Sequence, residues 1–220
     1  MYLSRIEMNA RRRSTIQLMS SPHCVHAAVM ASFPSYGLAE GRILWRVDNL
    51  GPSTYILVQS GARPDFSHIV EHYGWLASGQ GWDTVEYDSF LDKLNEGQIR
   101  RFRLTANPVH SVKDASSRED RGKVKAYITA DYQKKWLAER STKCGFRIKE
   151  AEIDNKDLAL EIKSREVKQF MRDGRRVTLN TVTFEGILVV EDSALLRDSM
   201  IKGIGRAKGY GCGLMTVAGL

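Results

Sequence analysis

The amino-acid sequence predicts an α+β protein built from two consecutive βαββαβ units. Three observations lead there. Short runs alternate apolar and polar residues with a period of two, helical stripes with four-residue spacing lie between them, and the strand, helix, strand, strand order of the first half returns in the second. At 220 residues the chain has room for two units of roughly 100 residues each. Its 42% hydrophobic and 27% charged residues, with only five prolines, exclude a disordered tail or a collagen-like repeat.

Tyr2, Ile6 and Met8 face one way and Arg5 and Glu7 the other, so residues 2–8 read as a strand with one buried face. Ser21 as N-cap and Pro22 at the first helical position open a helix, in which Val25, Val29 and Phe33 recur at four-residue steps until Pro34. Residues 43–48 and 54–60 are β-rich and flank Asn49-Leu50-Gly51-Pro52-Ser53, a hairpin connection. A helix is expected near Ser67–Tyr73, while the stretch around Gly79, Gln80 and Gly81 shows no readable element. Residues 99–105 alternate again, Phe102 and Leu104 against Arg101 and Arg103, and Asn107-Pro108 ends them. These elements make a first unit, residues 1–109.

A polar connection spans residues 110–122, and the second unit covers 123–220. It opens with a short strand at 123–127 and a helix at 131–143, preceded by Ile128 and marked by Tyr132 and Trp136 at four-residue steps. Strands follow at 146–153 and 158–171, then a turn through Asp173-Gly174 and a returning strand at 176–191. A helix at 193–201, closed by Gly203, and a strand at 214–217 finish it. Both units then have the ferredoxin-like (RRM-like) order, which serves metal binding, small-molecule sensing and RNA binding alike, so the sites must decide function.

Charge narrows the choice. The chain has 33 Lys and Arg against 26 Asp and Glu, a net +7. Residues 99–176 hold 21 basic and 12 acidic side chains, whereas residues 1–98 hold 8 and 10 and residues 177–220 hold 4 and 4. Basic residues gathered in one segment point to a polyanion, because they gain by displacing counterions condensed on phosphates. A merely solvated basic face would have the same composition. No apolar run approaches the ~20 residues of a membrane span, residues 1–13 lack an apolar signal core, and the three cysteines, Cys24, Cys144 and Cys212, are scattered as reduced thiols are. The expectation is a cytoplasmic protein without membrane contact.

Three constellations could carry chemistry. His23 and His26 lie three apart on the first helix, away from its apolar stripe, and an imidazole with a pKa of about 6.5 suits acid/base work. Surface or structural roles remain open for both, and no nearby Asp, Glu or Cys cluster completes a metal site with them. His68 and His72, four apart with no HExxH glutamate, read as surface residues. The long hairpin bears Arg165, Lys168, Arg172, Arg175 and Arg176 with Phe170 and Met171 near its tip, a ribbon able to grip a nucleic-acid groove. The tail from Gly203 to Leu214, including Gly205, Lys208 and Gly211, lets backbone N–H groups come close to phosphate, although it is neither a P-loop nor a Rossmann turn. No motif of the Lys/Arg-Gly-Phe/Tyr-Gly/Ala-Phe kind found in single-strand readers occurs, so a structured RNA is the favoured ligand.

Five segments together resemble a known family. They are Met1-Tyr2-Leu3-Ser4, His23-Cys24-Val25-His26-Ala27-Ala28-Val29 running to Phe33-Pro34, Phe102-Arg103-Leu104-Thr105-Ala106-Asn107-Pro108-Val109, Thr183-Phe184-Glu185-Gly186, and Gly203-Ile204-Gly205 through Lys208 to Gly211-Cys212-Gly213-Leu214. In this order they resemble the CasE-type CRISPR-associated endoribonucleases, which process precursor CRISPR RNA in type I-E Cascade systems. The resemblance implies two tandem ferredoxin-like domains and one cut at the base of a repeat stem-loop. It implies no metal or other cofactor: the 2′-OH attacks the adjacent phosphate, leaving a 2′,3′-cyclic phosphate and a 5′-OH. It further implies that the protein is a monomer when free and afterwards stays with the RNA and other Cascade subunits. His26 matches the family's catalytic histidine, and His23 stands where some members have a tyrosine. Lys208 and the basic hairpin match RNA-contacting positions. Two other readings stay open, an RNA-binding structural subunit without catalysis and a metal-dependent nuclease using His23 and His26.

Overall fold

A computed structural model of the chain describes residues 1–33, 42–75, 81–112, 123–151 and 158–220. The expected stop at Pro34, the Gly79-Gln80 pair and residues 113–122 of the connection lie outside these.

The first sheet forms from β1 (Tyr2–Met8), β2 (Leu44–Leu50), β3 (Ser53–Ser60) and β4 (Trp82–Glu86), all antiparallel in the order β2-β3-β1-β4. Helices α1 (Arg13–Met19), α2 (Pro22–Met30) and α3 (Ser67–Tyr73) contribute to its core. Alternation in β1 and β3 buries Ile6, Met8, Ile56 and Val58, and the α2 stripe adds Val25 and Val29. Phe33 is buried just beyond the helix, edge-on to Phe66.

After the short α4 (Asp88–Leu91), the second sheet begins with β5 (Ile99–Ala106). The two-stranded ribbon of β6 (Val109–Val112) and β7 (Lys123–Ala126) precedes α5 (Ala130–Ser141), β8 (Phe146–Ile148), β9 (Leu160–Arg172), β10 (Arg175–Val190), α6 (Ser193–Lys202) and β11 (Met215–Ala218). Its order is β11-β5-β10-β8, with β9 also on β10. Because β9 pairs residues 175–186 of β10 and β8 pairs residues 188–190, the two occupy one edge in succession. Each unit therefore has the last strand, first strand, third strand, second strand order of a ferredoxin-like fold.

The structure moves the division between the units. Residues 99–105, expected to close the first unit, open the second: Ile99 to Ala106 pair with Val189 to Val182 of β10, and Phe102 and Leu104 enter the second core. A period-2 pattern reports a half-buried strand but not which sheet receives it. The first unit instead closes with β4, and the ribbon strand near 123–127 pairs with β6 rather than with the second sheet. Residues 110–112 of the expected connection are thus strand. Ile128 precedes α5, and both it and Tyr132 are exposed, so only Trp136 of that stripe is core. Of the strand expected over 146–153, residues 146–148 form β8 and residues 152–153 lie outside the described residues, and α1 and α4 have no counterpart in the sequence reading.

A buried arginine joins the units. Arg46 on β2 places its guanidinium against both carboxylate oxygens of Asp48, at 2.8 and 2.7 Å. It also donates to the carbonyls of Arg103 on β5 and Leu214 ahead of β11, and to Oγ1 of Thr216. Arg103 adds a contact to Asp48 at 3.5 Å. Gln59 of β3 donates to the carbonyl of Met200 in α6, so the junction is tied at a second point. Substituting Arg46→Ala leaves Asp48 buried without its main cation. A loss of about 3 kcal/mol is expected from urea unfolding, the low end of the range for breaking a buried pair because Arg103 remains nearby. A midpoint unchanged within error would show that the pair does not hold the junction.

Candidate active site

The site assembles where α2, β2, the 203–213 turn and the β9–β10 hairpin meet. Pro22 at N1 starts α2, and its apolar stripe fixes the helix rotation, leaving His23 and His26 half-buried on another side. The turn between α6 and β11 crosses this side. Its ends are pinned by Ile204 N–H to the Gly213 carbonyl and by Gly213 N–H to the Thr105 carbonyl. Between them a 3-10 turn, Lys208–Tyr210, packs on both α2 and β2.

His26 is held from two directions. Trp45, almost fully buried on β2, donates its indole N–H to His26 Nδ1 at 3.3 Å. On the other edge Gly209 lies so near that a Cβ there would sit 3.6 Å from Nε2. The imidazole pKa is lowered from its ordinary 6.5, first by burial and then by the neighbouring His23 and Arg172. His26 is consequently neutral at pH 7, with its second nitrogen next to half-buried Gly209 of the turn.

The hairpin reaches the same place. Arg172, at its tip, donates to the Tyr210 hydroxyl at 2.6 Å with its guanidinium 5.9 Å from that ring's centroid, and Phe170 packs on Tyr210 at 5.0 Å. The turn and the hairpin tip thus clasp each other, bringing a permanent cation beside the imidazole. Of the two apolar tip residues, Phe170 is spent on this packing and Met171 is exposed.

The other predicted residues spread outward from this point. Arg165, Arg175 and Arg176 are exposed along the ribbon, Arg176 bonded across it to Gln169. Lys168 pairs with Glu166 at 3.3 Å and lines a cleft of about 260 Å³ with Trp45 and Gly211. Lys208 lies behind the turn near Arg42 and Arg140, and burial with these cations lowers its pKa. Gly205 and Gly211, at φ +85° and +80°, sit against the rings of Trp136 and Trp45, where a Cβ would come within 3.2 and 2.7 Å. Their missing side chains admit these rings, so both shape the turn. His68 is set apart, its Nε2 3.0 Å from the Ala28 carbonyl. A larger groove of about 740 Å³ over β5, β10 and β11 includes no residue of α2 or of the turn.

Sequence reasoning missed Trp45 and Tyr210. Trp45 follows a run of apolar residues and reads as core, and Tyr210 is one residue within a glycine-rich tail. Trp45 meets His26 within the first unit and Tyr210 meets Arg172 within the second, and the packing of the turn on α2 and β2 brings the two pairs together.

The sequence model of a family described as CRISPR associated protein matches residues 1–219. The chain is 30% identical to the CRISPR-associated endoribonuclease Cse3 of Thermus thermophilus, over 99% of this chain and all of that protein. It is 28% identical to the CRISPR system Cascade subunit CasE of Escherichia coli, over the full length of both. The structure of Thermus thermophilus Cse3 bound to an RNA representing a pre-cleavage complex superposes with a TM-score of 0.79 at 28% identity, covering 99% of this chain and 98% of that one.

An NMR titration tests the electrostatics of the site. His26 should titrate below pH 6.5, and Arg172→Ala, which removes a neighbouring positive charge, should move the midpoint upward. A midpoint that ignores Arg172 would place the hairpin tip away from the imidazole.

Proposed function

The chain belongs to the CRISPR-associated protein family, as a member of its CasE type, and from that membership we propose that it is an endoribonuclease that binds the stem-loop of a CRISPR repeat RNA and cuts it once at the base of the stem. What supports this reading above all is the meeting of a neutral imidazole, His26, with an arginine from the most basic strand pair of the molecule. A phosphate drawn along the hairpin by Arg165, Lys168, Arg175 and Arg176 is delivered to Arg172 and His26. Lys208 adds positive potential behind the turn, and Gly205 and Gly211 keep that turn in place against the RNA.

In the reaction the 2′-OH upstream of the scissile bond loses its proton, the 2′-O–P bond forms and the P–O5′ bond breaks. The 5′-oxygen gains a proton, giving a 2′,3′-cyclic phosphate and a 5′-OH. Charge gathers on the phosphate oxygens in the transition state, where Arg172 offsets it and His26 acts through Nε2. His23, one turn before His26, contributes a further imidazole on the phosphate side. The reaction calls on side chains and solvent water, and the product RNA stays bound, which suits a subunit of a Cascade complex. Among the described residues no helix is long and apolar enough to cross a membrane.

Incubation of the repeat RNA in EDTA decides between the readings. Cleavage should persist in EDTA, stop when the nucleotide at the cut carries a 2′-deoxy sugar, and fall about 10²- to 10⁴-fold in His26→Ala with binding retained. Tight binding without any cut would mark a structural subunit, and activity lost in EDTA and restored by a divalent ion would mark a metal-dependent nuclease. Neutralising Arg172, Arg175 or Arg176 should weaken binding and lower the salt slope by roughly 0.7–0.9 for each phosphate that the variant no longer neutralises. An unchanged slope would place the ribbon away from the RNA.

A further inference from the structure

The role of His26 depends on which of its nitrogens holds the proton, and one neighbour decides that. We infer that Trp45 is a positioning residue that fixes His26 in the Nε2–H tautomer, so that the imidazole meets the scissile phosphate as a neutral hydrogen-bond donor. This rests on the function proposed above.

The indole N–H only donates. At 3.3 Å from Nδ1 it requires a lone pair there, and a neutral imidazole with its lone pair on Nδ1 has its proton on Nε2. Trp45 cannot turn away from this bond easily. It is buried, its ring rests on the backbone of Gly211, and a Cβ at that glycine would lie 2.7 Å from the indole. The next residue of the strand is Arg46, whose five hydrogen bonds lock the backbone. At the opposite edge of the imidazole, Gly209 has no side chain to cover Nε2.

Two consequences follow for the reaction. A second proton on Nδ1 would point at the indole N–H, so the imidazolium form loses its Trp45 bond, in agreement with the depressed pKa that burial, His23 and Arg172 already give. Nor can Nε2 take the 2′-OH proton while it bears one of its own. His26 therefore stays neutral and donates from Nε2–H to the phosphate oxygen that gathers charge, the use of a neutral imidazole as an electrophile. The 2′-OH proton passes to solvent water, and the departing 5′-oxygen takes one from solvent water. The titratable and charged groups facing the imidazole are His23 on its own helix and Arg172 on the hairpin, and both lower its pKa.

Two measurements test this. In the wild-type chain, nitrogen-15 NMR of His26 above its titration should show Nε2 protonated and Nδ1 bare, a readout that needs no variant. In Trp45→Phe, which keeps an aromatic ring and removes the N–H, the acid limb of the cleavage pH profile should move to higher pH. Cleavage at pH 7 should drop about two- to tenfold, the scale of one hydrogen bond, with RNA affinity unchanged. A bare Nε2 in the wild-type chain, or a Trp45→Phe profile identical to wild type, overturns the inference. So does wild-type cleavage that declines above pH 7, because an imidazolium acid would then be at work. Full activity in His26→Ala would instead overturn the assignment of His26 itself, so the two failures are distinct.

Discussion

The site exists because a buried guanidinium makes two small units act as one. Arg46 belongs to the edge strand of the first sheet, yet three of its five hydrogen bonds end on groups of the second: the Arg103 and Leu214 carbonyls and the Thr216 hydroxyl. Taking such a charge out of water is unfavourable unless its donors are satisfied, and here Asp48 supplies the counter-charge while backbone oxygens of the second unit complete the shell. Separating the units would leave that shell unfilled. Docking is thereby specific, and the α6–β11 turn is held across α2, where His26 is.

The same junction explains how charge and chemistry come from different parts of the chain. The basic surplus of residues 99–176 lies largely on the second unit and its hairpin, while His23 and His26 lie in the nearly neutral first unit. Neither alone offers both the basic hairpin and this histidine pair. Tyr210 holds the second unit's part of the site together: it engages Arg172 through its hydroxyl and Phe170 through its ring, so the hairpin tip is tethered to the turn that packs on α2 beside His26. Gly205 and Gly211 let this turn lie directly on Trp136 and Trp45. The turn thus owes its glycines to protein packing at these two positions, a role that a sequence rich in glycine does not distinguish from phosphate contact.

Much of this was legible in the residues themselves. The alternation of β1, the stripe of α2, and the Asp-Gly hairpin are local signals, and each corresponds to the element it predicts. His26 could be singled out because its helix buries a different side. What the residues concealed was nonlocal. The partner of residues 99–106 is set by β10, some 80 positions later, so their sheet could not be read from alternation. The β4 strand is short, and with Val85 exposed and Thr84 and Glu86 on the side of Trp82 it lacks an apolar alternation, which hid it. Trp45 and Arg46 looked like one more pair in a half-buried strand. Their meaning comes from what the second unit places against them.

The central claim is that this site cuts RNA by attack of the neighbouring 2′-OH with the chain's own side chains. Mass spectrometry of the two fragments from the repeat RNA tests it most directly. The account predicts a 2′,3′-cyclic phosphate on the upstream fragment and a 5′-hydroxyl on the downstream one. A 5′-phosphate with a free 3′-hydroxyl would contradict it, because those ends require water to attack the phosphate in place of the ribose oxygen.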